Sequence, residues 1–358
     1  MKIFLYTSVL FGGGAERVLC ALANNLYNNP QNEVFLIASY KLEEEYFVNK
    51  SIKKIYIDKS VENKNSIKQI VNLRKLIKQE KPDVIISFLP KPNFKILIAS
   101  FGLKSRKIIS IRNDPKVEYS SKASKMLCNL LYPMADGVVF QTEDAKNFFS
   151  EKIQKKSEII MNQVDDRFFE TERISEDYYV ATGRLKDQKN YDMMINSFSE
   201  FIKECQNEKL FIYGYGTKED EYRLNSLIKN KNAENNIFIK GVSTDVPRVL
   251  SHAKAFLMCS NYEGMPNGLL EAMAVGLPCI STDCPCGGPK TVIEDGIDGI
   301  LVPVGDEAEF TKALLKINND KSYRDMLGDN AKKKSQGFKP EIVFKKWRNF
   351  IKNMERKS

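Results

Sequence analysis

Three stretches of this chain hold residues whose types and spacing could do chemistry. Residues 182–190 read Thr-Gly-Arg-Leu-Lys-Asp-Gln-Lys-Asn, which sets Arg184 and Lys189 five residues apart behind Gly183. An arginine fork and a lysine point charge converging beside a helix start are what a diphosphate leaving group requires, because charge develops on it as its bond breaks. Residues 263–271 hold two carboxylates eight residues apart, Glu263 in a loop and Glu271 about one turn inside a helix. They suit different parts of one elongated ligand. Between them, backbone N–H groups of Asn267 and Gly268 at the helix start can bind phosphate. The third stretch, Gly12-Gly13-Gly14-Ala15-Glu16-Arg17, joins an apolar run to a helical one, where bare N–H groups also suit an anion. As a dinucleotide fingerprint it fails, since the third glycine of G-x-G-x-x-G falls on Arg17. Taken singly, loop cations and acids are ordinarily solvated, and a tight turn with no ligand stays an alternative for the glycine stretch. A paired-acid hydrolase competes for Glu263 and Glu271, although hydrolytic acids need no phosphate cradle between them.

The elements that must position these residues follow from periodicity. In the first half, apolar runs at 3–9, 33–39, 54–57, 84–88, 107–111 and 137–141 read as strands. Helical spacing fills 15–27, 66–80, 92–101 and 122–133, and Pro82 marks a helix end before the next strand. The second half repeats the plan, with strands at 179–182, 210–213, 237–240, 255–259 and 278–281. Its helices lie near 191–205, 218–229, 245–251, 267–275, 289–294 and 306–318. Alternation of this kind predicts an α/β chain made of two Rossmann-like, doubly wound parallel-sheet domains. Ligands bind beyond the carboxyl ends of such strands, so two domains facing each other are expected to enclose a cleft there. The acid-rich stretch 162–177 reads as the linker, giving domains over 1–165 and 175–339 and a final helix over 340–358. The Lys332-Lys333-Lys334 run reads as a solvated helix face.

Composition narrows the class. A chain of 358 residues, 42% hydrophobic and 28% charged, has material for about two cores and none of the bias of disordered sequences. Residues 1–170 carry 27 Lys and Arg against 19 Asp and Glu, net +8, whereas 171–358 carry 28 against 27. The basic excess suits phosphates or anionic lipid; its plain alternative is a set of solvated lysines. Nucleic acid is not expected, because the basic residues are not interleaved with an aromatic stacking motif. Seven scattered cysteines and a single histidine, His252, fit a reducing cytosol and leave Cys284-Pro285-Cys286 as loop thiols rather than a metal site. Residues 3–11 read as a buried first strand rather than a signal segment, and no apolar run reaches the roughly 18 residues needed to span a bilayer.

Gly13-Gly14, Gly183-Arg184 with Lys189-Asn190, and Glu263 with Glu271, in that order, resemble the retaining glycosyltransferases of family 4, which have the GT-B fold. The likeness runs along the chain through Gln141-Thr142, Tyr213-Gly214-Tyr215-Gly216, Gly287-Gly288-Pro289 and Asp298-Gly299. It implies sugar transfer from a nucleotide diphosphate donor, without cofactor or metal. It further implies that Arg184 and Lys189 hold the diphosphate, Glu263 the donor sugar's hydroxyls and Glu271 the ribose. Gly13 and Gly14 would approach the phosphates, and Val242 would meet the base through its backbone. The sequence departs from the family at two places. Many members carry a histidine after the strand matching 107–111, where this chain has Arg112, a group that can hydrogen-bond a sugar or phosphate but cannot act as a base. An acid common after the Gly-Gly-Pro loop is replaced by Lys290-Thr291.

The resemblance points to a UDP-sugar donor and a saccharide acceptor on polyprenyl diphosphate, used in surface glycan assembly. It also implies that the final helix, with Ile342, Phe344, Trp347, Phe350, Ile351 and Met354 as its apolar stripe, packs back on the first domain. Its six basic and two acidic residues would raise that domain from +8 to +12. Such a charge suits a cytoplasmic enzyme held peripherally at an anionic inner leaflet. Two alternatives stay open: a catalytically silent subunit that partners another transferase, and a sugar-nucleotide epimerase or phosphorylase on the same fold.

Overall fold

The computed structural model describes residues 1–58 and 65–355; residues 356–358 of the expected final helix lie outside the described residues. The chain divides into two compact units, one of residues 1–162 with 341–358 and one of residues 163–340.

The first unit is built on seven strands: β1 (Lys2–Thr7), β2 (Glu33–Ala38), β3 (Lys53–Tyr56), β4 (Val84–Phe88), β5 (Arg106–Ser110), β6 (Gly137–Phe140) and β7 (Ser157–Ile159). Their order is β3-β2-β1-β4-β5-β6-β7 with every neighbour parallel. Its helices begin with α1 (Gly14–Tyr27), α2 (Ser66–Glu80), α3 (Pro90–Ala99), α4 (Pro115–Glu118) and α5 (Lys122–Leu131). Two short helices, α6 (Glu143–Asn147) and α7 (Glu151–Gln154), follow. Strands covered on both faces bury continuous apolar runs, and Ile3 to Tyr6 are wholly inaccessible.

The second unit holds six strands: β8 (Tyr178–Thr182), β9 (Leu210–Tyr213), β10 (Ile237–Gly241), β11 (Ala253–Met258), β12 (Cys279–Thr282) and β13 (Ile300–Val302), in the order β10-β9-β8-β11-β12-β13. All pairs are again parallel. Its helices are α8 (Asp166–Glu170), α9 (Tyr191–Glu204), α10 (Lys218–Asn230), α11 (Val246–Ser251), α12 (Asn267–Val275), α13 (Gly288–Val292), α14 (Glu307–Asn319) and α15 (Lys321–Ser335). The strand order reverses between β1 and β4 in one unit and between β8 and β11 in the other. Such reversals splay the loops after the two strands apart and leave room there for a ligand.

The last helix, α16 (Pro340–Glu355), completes the first unit's core. Val343, Trp347, Phe350, Ile351 and Met354 are buried among the strands, and the Trp347 ring stacks on Phe88 at 5.6 Å. Ile342, expected on the apolar stripe, is 38% exposed and Val343 takes its place, as the 3.6-residue period requires once Trp347 is fixed inward. The 162–177 stretch differs from a plain linker, because it folds into α8, which packs on α12. Three residues each, β7 and β13 are too short to show a period, and α15 went unread because only scattered apolar residues, such as Leu327 and Ala331, face inward. Lys334 of the expected solvated run pairs with Asp298 at 2.7 Å.

Candidate functional site

In the second unit the switch point is furnished by the loops after β8 and β11. Gly183 leaves β8 with its N–H donating to Tyr213 O at 2.9 Å, and Leu185 N donates to Tyr215 O at 2.8 Å. The loop after β9 runs so close that a Cβ on Gly214 would overlap the Gly183 carbonyl, so only glycine fits there. A turn of 3-10 helix then carries Lys189 to Asn190, whose side chain caps α9 by accepting from Met193 N at 3.3 Å. Four hydrogen bonds lace this loop to residues 261–262. Asn261 donates its N–H to Gln188 O at 2.8 Å and its Nδ2 to Asp187 O at 2.8 Å. Gln188 Nε2 donates to Tyr262 O at 3.0 Å, and Asn190 Nδ2 to Asn261 Oδ1 at 3.1 Å.

The lacing sets Lys189 against Glu263. Lys189 Nζ donates to Glu263 Oε1 at 2.6 Å, and Ser260 Oγ donates to the same oxygen at 2.8 Å. The backbone on either side is fixed by residues 285–286, with Glu263 N donating to Pro285 O at 2.6 Å and Cys286 N to Glu263 O at 2.9 Å. Only 9% of the Glu263 side chain is exposed, so its charge depends on these partners. The sequence reading gave Lys189 to a phosphate and Glu263 to a sugar as separate tasks, whereas here each holds the other. Burial, then the Glu263 charge, push the Cys284 thiol up to about 12. It is therefore protonated at neutral pH.

Arg184 stands apart from the pair. Its side chain is exposed and has no hydrogen-bond or ion-pair partner among the described residues, leaving the guanidinium open to an anion. The start of α12 lies against the end of β8, since a Cβ on Gly268 would press on Thr182 Oγ1. Asn267 and Gly268 form its first turn, which contains no acidic side chain, and Glu271 is buried one turn on at 6% exposure. Val242, 69% exposed, follows β10. Beside that loop lies a cavity of about 330 Å³ lined by Tyr178, Tyr213, Ser243, Asp245, Arg248 and His252, which sequence patterns did not signal. The lone histidine thus lies in the second unit, with Nδ1 near Ser251 Oγ and Arg248 O, both at 3.0 Å.

In the first unit, Gly13 caps α1 and Gly14 opens it, but the Glu16 carboxylate folds back over Gly13, where an added Cβ would overlap Oε2. The expected anion cradle therefore already faces an acid, which the positive helix end stabilises. Arg112 follows β5, is 7% exposed, and lies over the Phe88 ring at 4.3 Å. Its Nη2 donates to Asn162 Oδ1, which also accepts from Gln141 Nε2 at 2.7 Å, while its Nε has no partner. Desolvation pulls the Arg112 pKa down to about 9, partly opposed by the Glu16 charge, so it stays a cation at neutral pH. Asn162 was hidden in the supposed linker, since nothing in sequence ties it to a residue fifty positions away. Glu118 was also missed: its Oε2 is buried without a partner among the described residues, and desolvation first, with Asn113 opposing and Asp114 adding, raises its pKa to about 7.

Known proteins share this plan. Residues 163–334 match the model described as "Glycosyl transferases group 1", and residues 12–168 match "Glycosyltransferase Family 4". A Campylobacter jejuni enzyme named as the α-1,4-N-acetyl-D-galactosaminyltransferase of GalNAc-α-(1→4)-GalNAc-α-(1→3)-diNAcBac-PP-undecaprenol is 31% identical across 98% of both chains. AmsD of Erwinia amylovora, named as an amylovoran biosynthesis glycosyltransferase, is 27% identical over 98% of this chain and 99% of its own. The Anabaena protein HepE, solved with UDP and glucose, superposes with a TM-score of 0.83 at 17% identity over 98% of this chain and 99% of its own. Sucrose-phosphate synthase of Thermosynechococcus elongatus does so at 0.85 and 15% identity over the whole of both chains. Switch-point geometry, family models and near-full-length relatives agree, and the chain belongs to the glycosyltransferases of family 4, with the GT-B fold.

Proposed function

We propose that the protein is a retaining, metal-independent transferase that moves a hexose or N-acetylhexosamine from a UDP-sugar to a saccharide carried on polyprenyl diphosphate, in surface glycan assembly at the inner face of the plasma membrane. The observation that carries the reading is the Lys189–Glu263 pair joining the loops after β8 and β11, with Arg184 exposed on the first of these loops. Arg184 receives the donor diphosphate. As it binds, Lys189 turns to the phosphate and Glu263 to the sugar hydroxyls, so two charges that pair with each other are handed to the substrate. Glu271 takes the ribose hydroxyls, N–H groups of Asn267 and Gly268 meet the phosphate, and the Val242 backbone meets the uracil. The family resemblance assigns Gly13 and Gly14 to the phosphates and Arg112 to the sugar or acceptor.

Transfer with retention breaks the bond from the anomeric carbon to the phosphate oxygen and forms the bond to the acceptor oxygen on the same face. The acceptor proton passes to the departing phosphate. No protein base is used, which accommodates Arg112 where the family often has histidine. Two cations on the diphosphate stabilise its developing charge without a metal. The acceptor class is supported by the names of the Campylobacter jejuni relatives, one of which, at 28% identity over 94% of this chain, acts on a diphospho-undecaprenol-linked sugar. Calorimetric titration with UDP and GDP, with Mg2+ and with chelator, tests the donor site. UDP binding indifferent to chelator, and an α-linked product by proton NMR, are the expected results. Absence of binding by either nucleotide would remove this reading in favour of a silent subunit.

A further inference from the structure

The outer side of α5 runs against the usual pattern of a surface helix. Met126 and Leu130, one turn apart, are each 65% exposed, and Lys122 lies a turn before them on the same side. Lys125 is exposed on the flank, and no acidic residue occurs in the helix. The opposite side is anchored, with Cys128 and Leu131 buried and α5 packed on α3. Immediately before it, α4 exposes Lys116 and Val117, the latter by 41%. That short helix begins three residues after Arg112, beyond the carboxyl end of β5. A rigid helix with an apolar stripe rimmed by lysines matches a surface that is itself apolar beneath and anionic above. Among the described residues no helix is long and apolar enough to cross a membrane.

We propose that α4 and α5 are a docking face for an anionic lipid bilayer, with Val117, Met126 and Leu130 entering the headgroup layer and Lys116, Lys122 and Lys125 lying against lipid phosphates. The inference deepens the reading of the acceptor as polyprenyl-linked and rests on it. An acceptor diphosphate sits at the headgroup plane, and docking through α4 brings the Arg112 edge to that plane.

Flotation of the full chain with vesicles of phosphatidylcholine alone, or mixed with phosphatidylglycerol, tests it at low and high salt. Wild type is expected on the mixed vesicles at low salt and to weaken about tenfold at high salt. Met126→Glu with Leu130→Glu is expected to abolish flotation, and Lys122→Glu with Lys125→Glu to weaken it at least tenfold. Both variants should transfer sugar to a water-soluble, short-chain acceptor at the wild-type rate, which also reports their folding. Wild type that floats on neither vesicle, variants that float like wild type, or equal affinity for neutral and anionic vesicles would each overturn the docking face. So would a change of oligomeric state in the Met126 and Leu130 variant with vesicle binding intact, which would assign the face to a second copy. Loss of transfer to every acceptor with flotation preserved would remove the proposed function and leave the docking face standing.

Discussion

Lys189 and Glu263, 74 residues apart in sequence, share a 2.6 Å ion pair at the point where the second unit's strand order reverses. Each charge satisfies the other, with Ser260 Oγ donating to the same carboxylate oxygen. Removing one partner strands the other in a site that excludes water. Lys189→Ala is therefore expected to lower turnover by about two orders of magnitude and to cost about 3 kcal/mol of stability. Adding Glu263→Gln should restore much of that stability and none of the turnover, as read by melting and steady-state kinetics on the single and double variants. Wild-type stability in Lys189→Ala would show that the pair is not coupled as the geometry implies.

Arg184 gives the contrasting case, because it is exposed and holds no partner among the described residues. Arg184→Ala should leave the melting temperature unchanged and lower turnover about 100-fold. Lys at this position keeps the charge but loses the fork, so Arg184→Lys should recover only part of the rate. A melting shift comparable to that of Lys189→Ala would contradict the open placement.

Glu271 lies buried in α12, one turn beyond Asn267. Glu271→Ala is expected to weaken UDP binding at least tenfold by calorimetry, with a smaller effect on turnover at saturating donor. Undiminished affinity would end its assignment to the ribose.

Glu118 makes a prediction in pH. Its carboxyl is raised to about 7 in the folded chain, so the native state holds a proton that the unfolded state releases near the ordinary glutamate value. Between those two values the native state binds more protons, and stability from this group falls as pH rises, by about 3 kcal/mol across the window. Glu118→Gln should melt like wild type at pH 5 and several degrees above it at pH 8. Parallel melting curves over that range would show the carboxyl to be solvated.

Trp347 ties the end of the chain into the first unit, wholly buried and stacked on Phe88. Trp347→Ala is expected to destabilise that unit by about 3–5 kcal/mol, read as an earlier first transition in calorimetric melting. Its indole N–H has no partner among the described residues, so Trp347→Phe loses none of their hydrogen bonds and should cost about 1 kcal/mol. Equal effects of the two substitutions would mean that ring stacking does not hold α16.

Two sheets with helices between the strands were legible in sequence, because a parallel sheet covered on both faces demands apolar runs and each crossover shows helical spacing. That Arg184, Lys189, Asn267 and Gly268 follow strand ends was legible for a similar reason, since chain order places them there whatever the packing. Elements of three residues and helices with few inward residues were not, since periodicity needs length. Only the tertiary structure decided that Lys189 spends its charge on Glu263 while Arg184 stays open, because that depends on four hydrogen bonds between loops 74 residues apart. It alone also put Asn162 beside Arg112, the Glu16 carboxylate over Gly13, and an unpartnered oxygen on Glu118. A local pattern records which way each residue faces within its own element; which groups meet, and whether water reaches them, is set by chain segments that no local pattern can see.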